Sequence, residues 1–457
     1  MNAVLFAIIA YVLVQFTIGA WVSRRVASAS DYILAGRQLG VGLVAFSVFA
    51  TYFGAEAIVA SGGAVYENGL SGAIVDPVCY AAALILVGVF FAHALWSRGL
   101  TTFADLFRQR YSPGVERVVV LVLLPGSVIW AAAQIRAFGQ VLDANSGMGL
   151  GTAIILATVL VGGYSVIGGL LADAVTDVIQ GLVLVAGLVI LGITVAVQVD
   201  LGAGGLAHIE PDRLRLLDPD ESLLRVIEKM AIPVCGTIVA VELISRFLGA
   251  RTAAIAARGT LVGGLMYIIV GMVPVFLGLV APSLIPNHPD PEQIVARLAE
   301  VYLPGVLHVV FVGAIISAIL SVVHSALHAP AAQISHNVIT RLRPDLSDRQ
   351  RLWSVRSTVL VLSIVAFLIS FSSDGIKDLV ETASAFGSAG VFVATLFALF
   401  TRFGGPLAAH TSIICGMIVW AVSKYALGLT APYLLGLVTA LAGYVAGAVI
   451  EGRKSRM

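Results

Sequence analysis

FATYFGAEAIVASGG, residues 49–63, has the apolar character of a membrane span, yet it carries a carboxylate, Glu56, and three glycines, Gly54, Gly62 and Gly63. A charge at the centre of a membrane helix costs about 2.5 to 3.5 kcal/mol even on the mildest scale. Glycine lets a helix open or a second backbone come close. The stretch therefore reads either as a packing seam or as a helix broken at a polar site. A second stretch of the same kind is KMAIPVCGTIVAVELIS, residues 229–245, with Pro233 and Gly236 inside an apolar run and Glu242 behind them.

Around these two stretches the chain is apolar almost throughout. Of 457 residues, 59% are hydrophobic and 12% charged, and the mean hydropathy is +0.99, far beyond what the core of a soluble domain needs. Apolar runs of roughly 20 residues, enough to cross about 30 Å of hydrocarbon, recur along the whole chain. The reading is an all-α membrane protein of about 13 transmembrane helices in a single domain, 1–457, because the longest loop, near 199–223, is too short for a soluble unit. The two interrupted spans are the second and the seventh. In transporters built from inverted repeats, interrupted segments at corresponding places of the two halves mark the binding site. This predicts a five-plus-five core with repeat one at 38–198 and repeat two at 223–402, a peripheral first helix within 1–37 and two peripheral helices within 405–450.

Short cytoplasmic loops collect Lys and Arg. Arg24, Arg25 and Arg37, then Arg98, Arg108, Arg110 and Arg117, then Arg246, Arg251 and Arg258, then the group from Arg341 to Arg356 fall on one side, with Arg402, Arg453, Lys454 and Arg456. The opposite loops hold Glu67, Asp143, the stretch from Asp200 to Glu221, Asp290 and Glu292. The expectation is an integral protein of the cell (inner) membrane, N-terminus outside and C-terminus cytoplasmic. The opening helix has no small-residue cleavage site and reads as retained. A net charge of +1 without a basic stripe gives no reason to expect a nucleic-acid partner. Cys79, Cys235 and Cys415 all fall in spans and read as small buried residues. No GxSxG or HExxH motif is present, so no enzyme is expected.

The stretch GYSVIGGLLADAVTDVIQG, residues 163–181, resembles the signature of the sodium/solute symporter family. DYILAGRQLG (31–40), VFATYFGAE (48–56), GAVYENG (63–69) and LFRQRY (106–111) are similar to the same family in the same order, and the resemblance covers roughly residues 30 to 425. It implies alternating access and secondary active transport. AGRQLG (35–40), GVFFAHALWSRG (88–99) and IWAAAQI (129–135) resemble its high-affinity choline transporter-like branch, which holds a quaternary ammonium in an aromatic cage. Such a cation–π contact is worth about 2 kcal/mol when dry. Tyr52, Tyr80 and Trp130 match three cage positions, while Val234 stands where a fourth aromatic belongs. The expected substrate site is Tyr52, Glu56, Asp76, Tyr80, Trp130, Val234 and Gly236. Helix packing is the alternative reading of the rings.

The resemblance also implies a sodium site. Its carbonyls would come from Ala50, Phe53 and Ala318 and a hydroxyl from Ser321, with Val322 in the place of a second hydroxyl. In some relatives a further sodium lies between the aspartate of the signature, here Asp177, and a pair of positions that are here His324 and Ser325. Imidazole titrates near pH ~6.5, so His324 beside Asp177 could carry a proton instead, or be a neutral packed residue. His324 and His328, four apart on one helix face, could also begin a transition-metal site, which needs a third ligand. Pro330 would kink that helix, and His336 would lie near its cytoplasmic end.

Together these readings predict cation-coupled symport, by sodium or by a proton in its place, of a small polar solute such as an amino acid, zwitterion or quaternary amine. Glu56 and Asp76 would suit an amine and Arg136 a carboxylate. The alternatives are a proton-coupled transporter, a transporter-like sensor and transition-metal transport. Partners are the solute and membrane lipids, with no obligate protein partner evident.

Overall fold

The computed structural model describes residues 3–24, 26, 28–199, 209–286, 290–372 and 376–454. Arg25, Asp200 and Arg456 of the charge pattern lie outside the described residues. Among the described residues all regular elements are helical, with one isolated parallel bridge between Leu39 and Ala250. Eleven helices are long and apolar enough to cross a membrane. The sequence reading of thirteen exceeds this by two, and two further apolar helices, Ala3–Ser23 and the shorter Val41–Tyr52, stand beside the eleven.

In chain order the helices that matter here are α1 (Ala3–Ser23), α2 (Val41–Tyr52), α3 (Ser61–Asn68), α4 (Tyr80–Leu86), α5 (Ala104–Arg110) and α6 (Pro113–Ser146). Next come α7 (Leu150–Ile167), α8 (Leu170–Gln198), α9 (Leu223–Ile238), α10 (Val241–Leu248), α11 (Ala253–Leu284) and α12 (Gly305–Gln333). The chain closes with α13 (Asp348–Ser372), α14 (Ile376–Ala385), α15 (Ser388–Phe400), α16 (Pro406–Ala421) and α17 (Pro432–Lys454).

The first interruption falls where Gly54 suggested. Helix α2 stops at Tyr52, and Phe53 leaves helical geometry with φ −86° and ψ 65°. The amide of Gly54 then donates to Tyr52 O at 3.0 Å rather than to Ala50 O, its helical partner. A Cβ at Gly54 would lie 2.8 Å from Val322 Cγ2 and 2.9 Å from Gln134 Oε1, so only glycine lets α12 and α6 close on the break. The chain resumes in a wide helical turn, Glu56–Ala60, that leads into α3.

The second interruption is displaced from the expected one. Helix α9 runs through Pro233 and Gly236 to Ile238, and the break falls at Val239 and Ala240, the latter extended with φ −66° and ψ 120°. Gly236 serves the packing instead. A Cβ there would lie 2.6 Å from Ser384 O, so its absence brings the backbone of α14 against α9.

Helix α12 lies at the centre, wedged between α6 and α8. Every residue from Phe311 to Gln333 is buried, which is why it can carry imidazoles and hydroxyls: its surroundings are protein. Pro330 does not end it before Gln333. At one end of the bundle the segment entering α2 is stitched to the end of α10. Leu39 N donates to Gly249 O at 3.1 Å and Arg251 N donates to Leu39 O at 3.0 Å. The amides that open α16 and α17 have no intrahelical acceptors. Glu451 accepts from Gly405 N and Leu407 N, each at 2.7 Å, and Glu228 accepts from Tyr433 N at 2.6 Å and Leu434 N at 2.8 Å.

Candidate functional site

Each broken helix places a carboxylate in the first turn after its break, Glu56 after Gly54 and Glu242 after Ala240. Free amides and the positive end of the helix dipole favour an acid there. Both carboxylates line one cavity together with Tyr52, Tyr80, Trp130 and Ser384. The Tyr52 ring lies 5.6 Å from that of Trp130 and 6.0 Å from that of Tyr80, and the hydroxyls of Tyr80 and Ser384 are 3.2 Å apart. Trp130 Nε1 donates to Glu56 Oε1 at 3.0 Å and Gln134 Nε2 donates to Glu56 Oε2. These neutral donors orient the carboxylate and leave its charge without a cation. No Lys, Arg or His lines the cavity among the described residues.

Of the expected substrate residues the structure thus brings together Tyr52, Glu56, Tyr80, Trp130 and Gly236. Val234 does not reach the cavity and packs half-buried against the main core. Two residues along a helix turn the side chain by about 200°, so with Gly236 on the lining Val234 faces away. Asp76 is also absent from the lining. Its backbone leaves helical geometry at φ −133° and ψ 122°, and its Oδ1 accepts from Tyr267 Oη at 2.9 Å. Arg136 donates from Nη1 to Ser370 O at 3.1 Å and lies off the cavity, so no guanidinium meets a carboxylate-bearing solute. Glu242, Thr237 and Ser384 were not among the expected residues.

A second polar region is sealed between α2, α8, α10 and α12. Ser47, Thr51, Asp173, Asp177, Ser321 and His324 are each 0% exposed, and Arg246 and Ser325 are 1% exposed. Asp177 accepts from Ser47 Oγ at 2.6 Å and from Ser321 Oγ. Arg246 forms an ion pair with Asp173, donates from Nε to Thr51 Oγ1 at 2.9 Å, and donates from Nη2 to Ser325 Oγ. Asp177, Ser321, His324 and Ser325 lie in this region, around residues that the sequence does not join to them: Asp173, Arg246, Ser47 and Thr51. His324 faces Asp173 rather than Asp177, with Nε2 at 3.8 Å from Oδ2. Its ring stacks on His328 at 5.4 Å and meets Tyr164 edge-on at 5.3 Å. His328 Nε2 pairs with Tyr32 O at 2.9 Å. No third metal ligand joins the two imidazoles among the described residues.

Beside this region, Ala50, Phe53 and Ala318 are buried, and at the first break Ala50 O has lost its helical donor. Ser321 gives its proton to Asp177, which leaves its oxygen lone pairs for a cation. A Val322 methyl group sits at the same break.

The sequence profile of the sodium:solute symporter family matches residues 32–416. The chain belongs to the sodium:solute symporter family. As a member of that family it is an integral membrane protein. It is 28% identical over 392 residues to the high-affinity choline transporter 1 of Drosophila melanogaster, with 82% of this chain and 63% of that relative covered. The human high affinity choline transporter 1 is 24% identical, covering 91% and 76%. The sodium/pantothenate symporter of Haemophilus influenzae is 25% identical, covering 81% and 78%. Among solved structures, the substrate-bound outward-open state of a Na+-coupled sialic acid symporter superimposes with a TM-score of 0.84 at 18% identity, covering 98% of each chain. A nucleobase-cation-symport-1 family transporter in a closed conformation gives 0.66 at 14% identity, covering 94% and 96%. The fold is that of these transporters.

Proposed function

We propose that this symporter-family chain couples the inward movement of a cation to uptake of a small solute that carries an ammonium group. The observation that carries the reading is the cavity wall: two carboxylates, the four aromatic residues Tyr52, Tyr80, Trp130 and Phe386, and, among the described residues, no basic side chain. An ammonium group gains from both kinds of wall, by cation–π attraction to the rings and by charge-assisted contact with Glu56 and Glu242. An amino acid would bring a carboxylate that finds no guanidinium, so an amine or quaternary amine fits better than a zwitterion. Relatives named as choline transporters are consistent with this class.

The coupling cation in this reading is sodium, held by the carbonyls of Ala50, Phe53 and Ala318 and by Ser321 Oγ. Support comes from the opened hydrogen bond at Ala50 and from the oxygen-only donor set, which suits a hard cation. The two breaks, each with its own acid in the turn that follows, support a repeat one at 38–198 and a repeat two at 223–402.

Uptake into proteoliposomes tests the proposal, using a panel of a quaternary ammonium, a primary amine, an amino acid and a simple carboxylate, with and without a sodium gradient. Saturable, sodium-stimulated uptake of the ammonium compounds is expected. Uptake confined to carboxylates, without competition from amines, would overturn it.

A further inference from the structure

At the second cation position that the family resemblance assigns to Asp177, His324 and Ser325 a guanidinium is already present, with Arg246 Nη2 donating to Ser325 Oγ. Ser325 Oγ donates its proton to Ser321 O at 2.9 Å, accepts from Arg246 Nη2, and has Thr51 Oγ1 at 3.3 Å. A hydroxyl has one proton and two lone pairs, so the proton and one lone pair of this one are in use, the lone pair by the guanidinium. Both oxygens of Asp177 already accept from Ser47 and Ser321. The third position is an imidazole whose ring stacks on His328 and faces Asp173. A sodium ion there would lie against the guanidinium and meet an imidazole in place of an oxygen ligand.

We propose that Arg246 is a tethered cation, its guanidinium supplying from within the chain the positive charge that a second sodium would bring, so that no sodium binds at this position. The charge count agrees. With both acids ionised, Asp173 and Asp177 bring two negative charges into a sealed region, Arg246 brings one positive charge, and Ser321 hydrogen-bonds to Asp177. One sodium there completes neutrality; a second would leave an excess positive charge in a region closed to water. The inference rests on the cation-coupled reading but concerns a different set of ligands.

Equilibrium binding of radioactive sodium to the purified full-length chain in lipid nanodiscs separates the two. The parent is expected to bind one ion per chain and Arg246→Gln two, while Arg246→Lys, which keeps the charge, stays at one. The Hill coefficient should rise from about 1 in the parent toward about 2 in Arg246→Gln, as a second coupled site requires. If Arg246→Gln folds only in sodium, that also supports the proposal, because the ion then replaces the missing charge. Two ions on the parent, or no added ion in a folded Arg246→Gln, overturns it, and the parent count decides if the variant does not fold at all. No ion on the parent with one on Arg246→Gln would keep the tethered cation and defeat the sodium reading of the first site.

Discussion

Glu56 and Glu242 stand on two different broken helices and face a cavity without a basic residue, whereas Asp173 and Asp177 lie a turn apart on one continuous helix and share the surroundings of Arg246. Both pairs are buried, and what differs is the origin of the compensating charge. In the sealed region it is part of the chain and is present in every conformation that keeps α8 and α10 together. For the cavity, Arg246, one turn further along α10, serves Glu242 only from behind, so the rest of the charge must arrive with a ligand and the stability of that site depends on occupancy. Only the second arrangement can do work on binding, because a ligand shifts a conformational equilibrium only when it binds the two states differently.

The largest expected effect strikes the sealed pair. Arg246→Met leaves two buried carboxylates without their cation, which should destabilise the fold by about 3 to 5 kcal/mol. Thermal unfolding in detergent reads this, and a loss below about 1 kcal/mol, the worth of an exposed pair, would show that water reaches the region. The cavity acids should behave in the opposite way. Glu242→Gln is expected to leave thermal stability nearly unchanged while lowering the uptake efficiency for an ammonium solute by about 10- to 100-fold, the worth of a charged hydrogen bond. An equal loss of stability in both variants would erase the distinction between the two regions.

Smaller effects sharpen the boundary between them. Val322→Ser adds an oxygen at the break, and should tighten half-saturation by sodium about 5-fold, read from uptake against sodium concentration. An unchanged sodium dependence would place the ion elsewhere.

Asp105, on α5 and outside the membrane spans, is the reference case of a carboxylate served by neighbours at the rim. It accepts from Thr101 N at 2.9 Å, Thr102 N at 3.0 Å and Asn337 Nδ2 at 2.9 Å, with His336 and Arg341 each at 3.5 Å. Burial works to raise its pKa, but His336 and the two amides outweigh burial and hold it below the usual 3.8. A depressed acid contributes stability above its unfolded value, and that stability fades as the pH falls through the folded one. Thermal scans below pH ~4 should therefore show a small loss in the parent that Asp105→Asn lacks.

The first break was legible because two local signals coincide: a glycine and, two residues on, a charge that lipid does not tolerate. The second was misplaced because Pro233 and Gly236 resemble a break. The better signal was Glu242, standing to Ala240 as Glu56 stands to Gly54. The aromatic trio was readable from its resemblance to a family pattern, but the fourth position failed on helical phase. The Arg246 ion pair was not readable at all. It joins α8 to α10 across the fold, Asp173 lies inside a signature whose aspartate of interest is Asp177, and Arg246 reads by its neighbours as a loop charge on the cytoplasmic side. Pairing between distant helices leaves no periodicity in the chain.

The stitch between Leu39 and the end of α10 is made of main-chain atoms on both sides. An alanine scan would leave these two bonds in place and remove only the adjoining one from Arg251 Nε to Gln38 O at 2.7 Å; proline at Leu39 or Arg251 removes a main-chain donor. The two broken helices are yoked at that end by bonds that are indifferent to residue identity. Mutational drift can rewrite the cavity wall for one solute after another while the mechanical tie between its two halves is inherited unchanged.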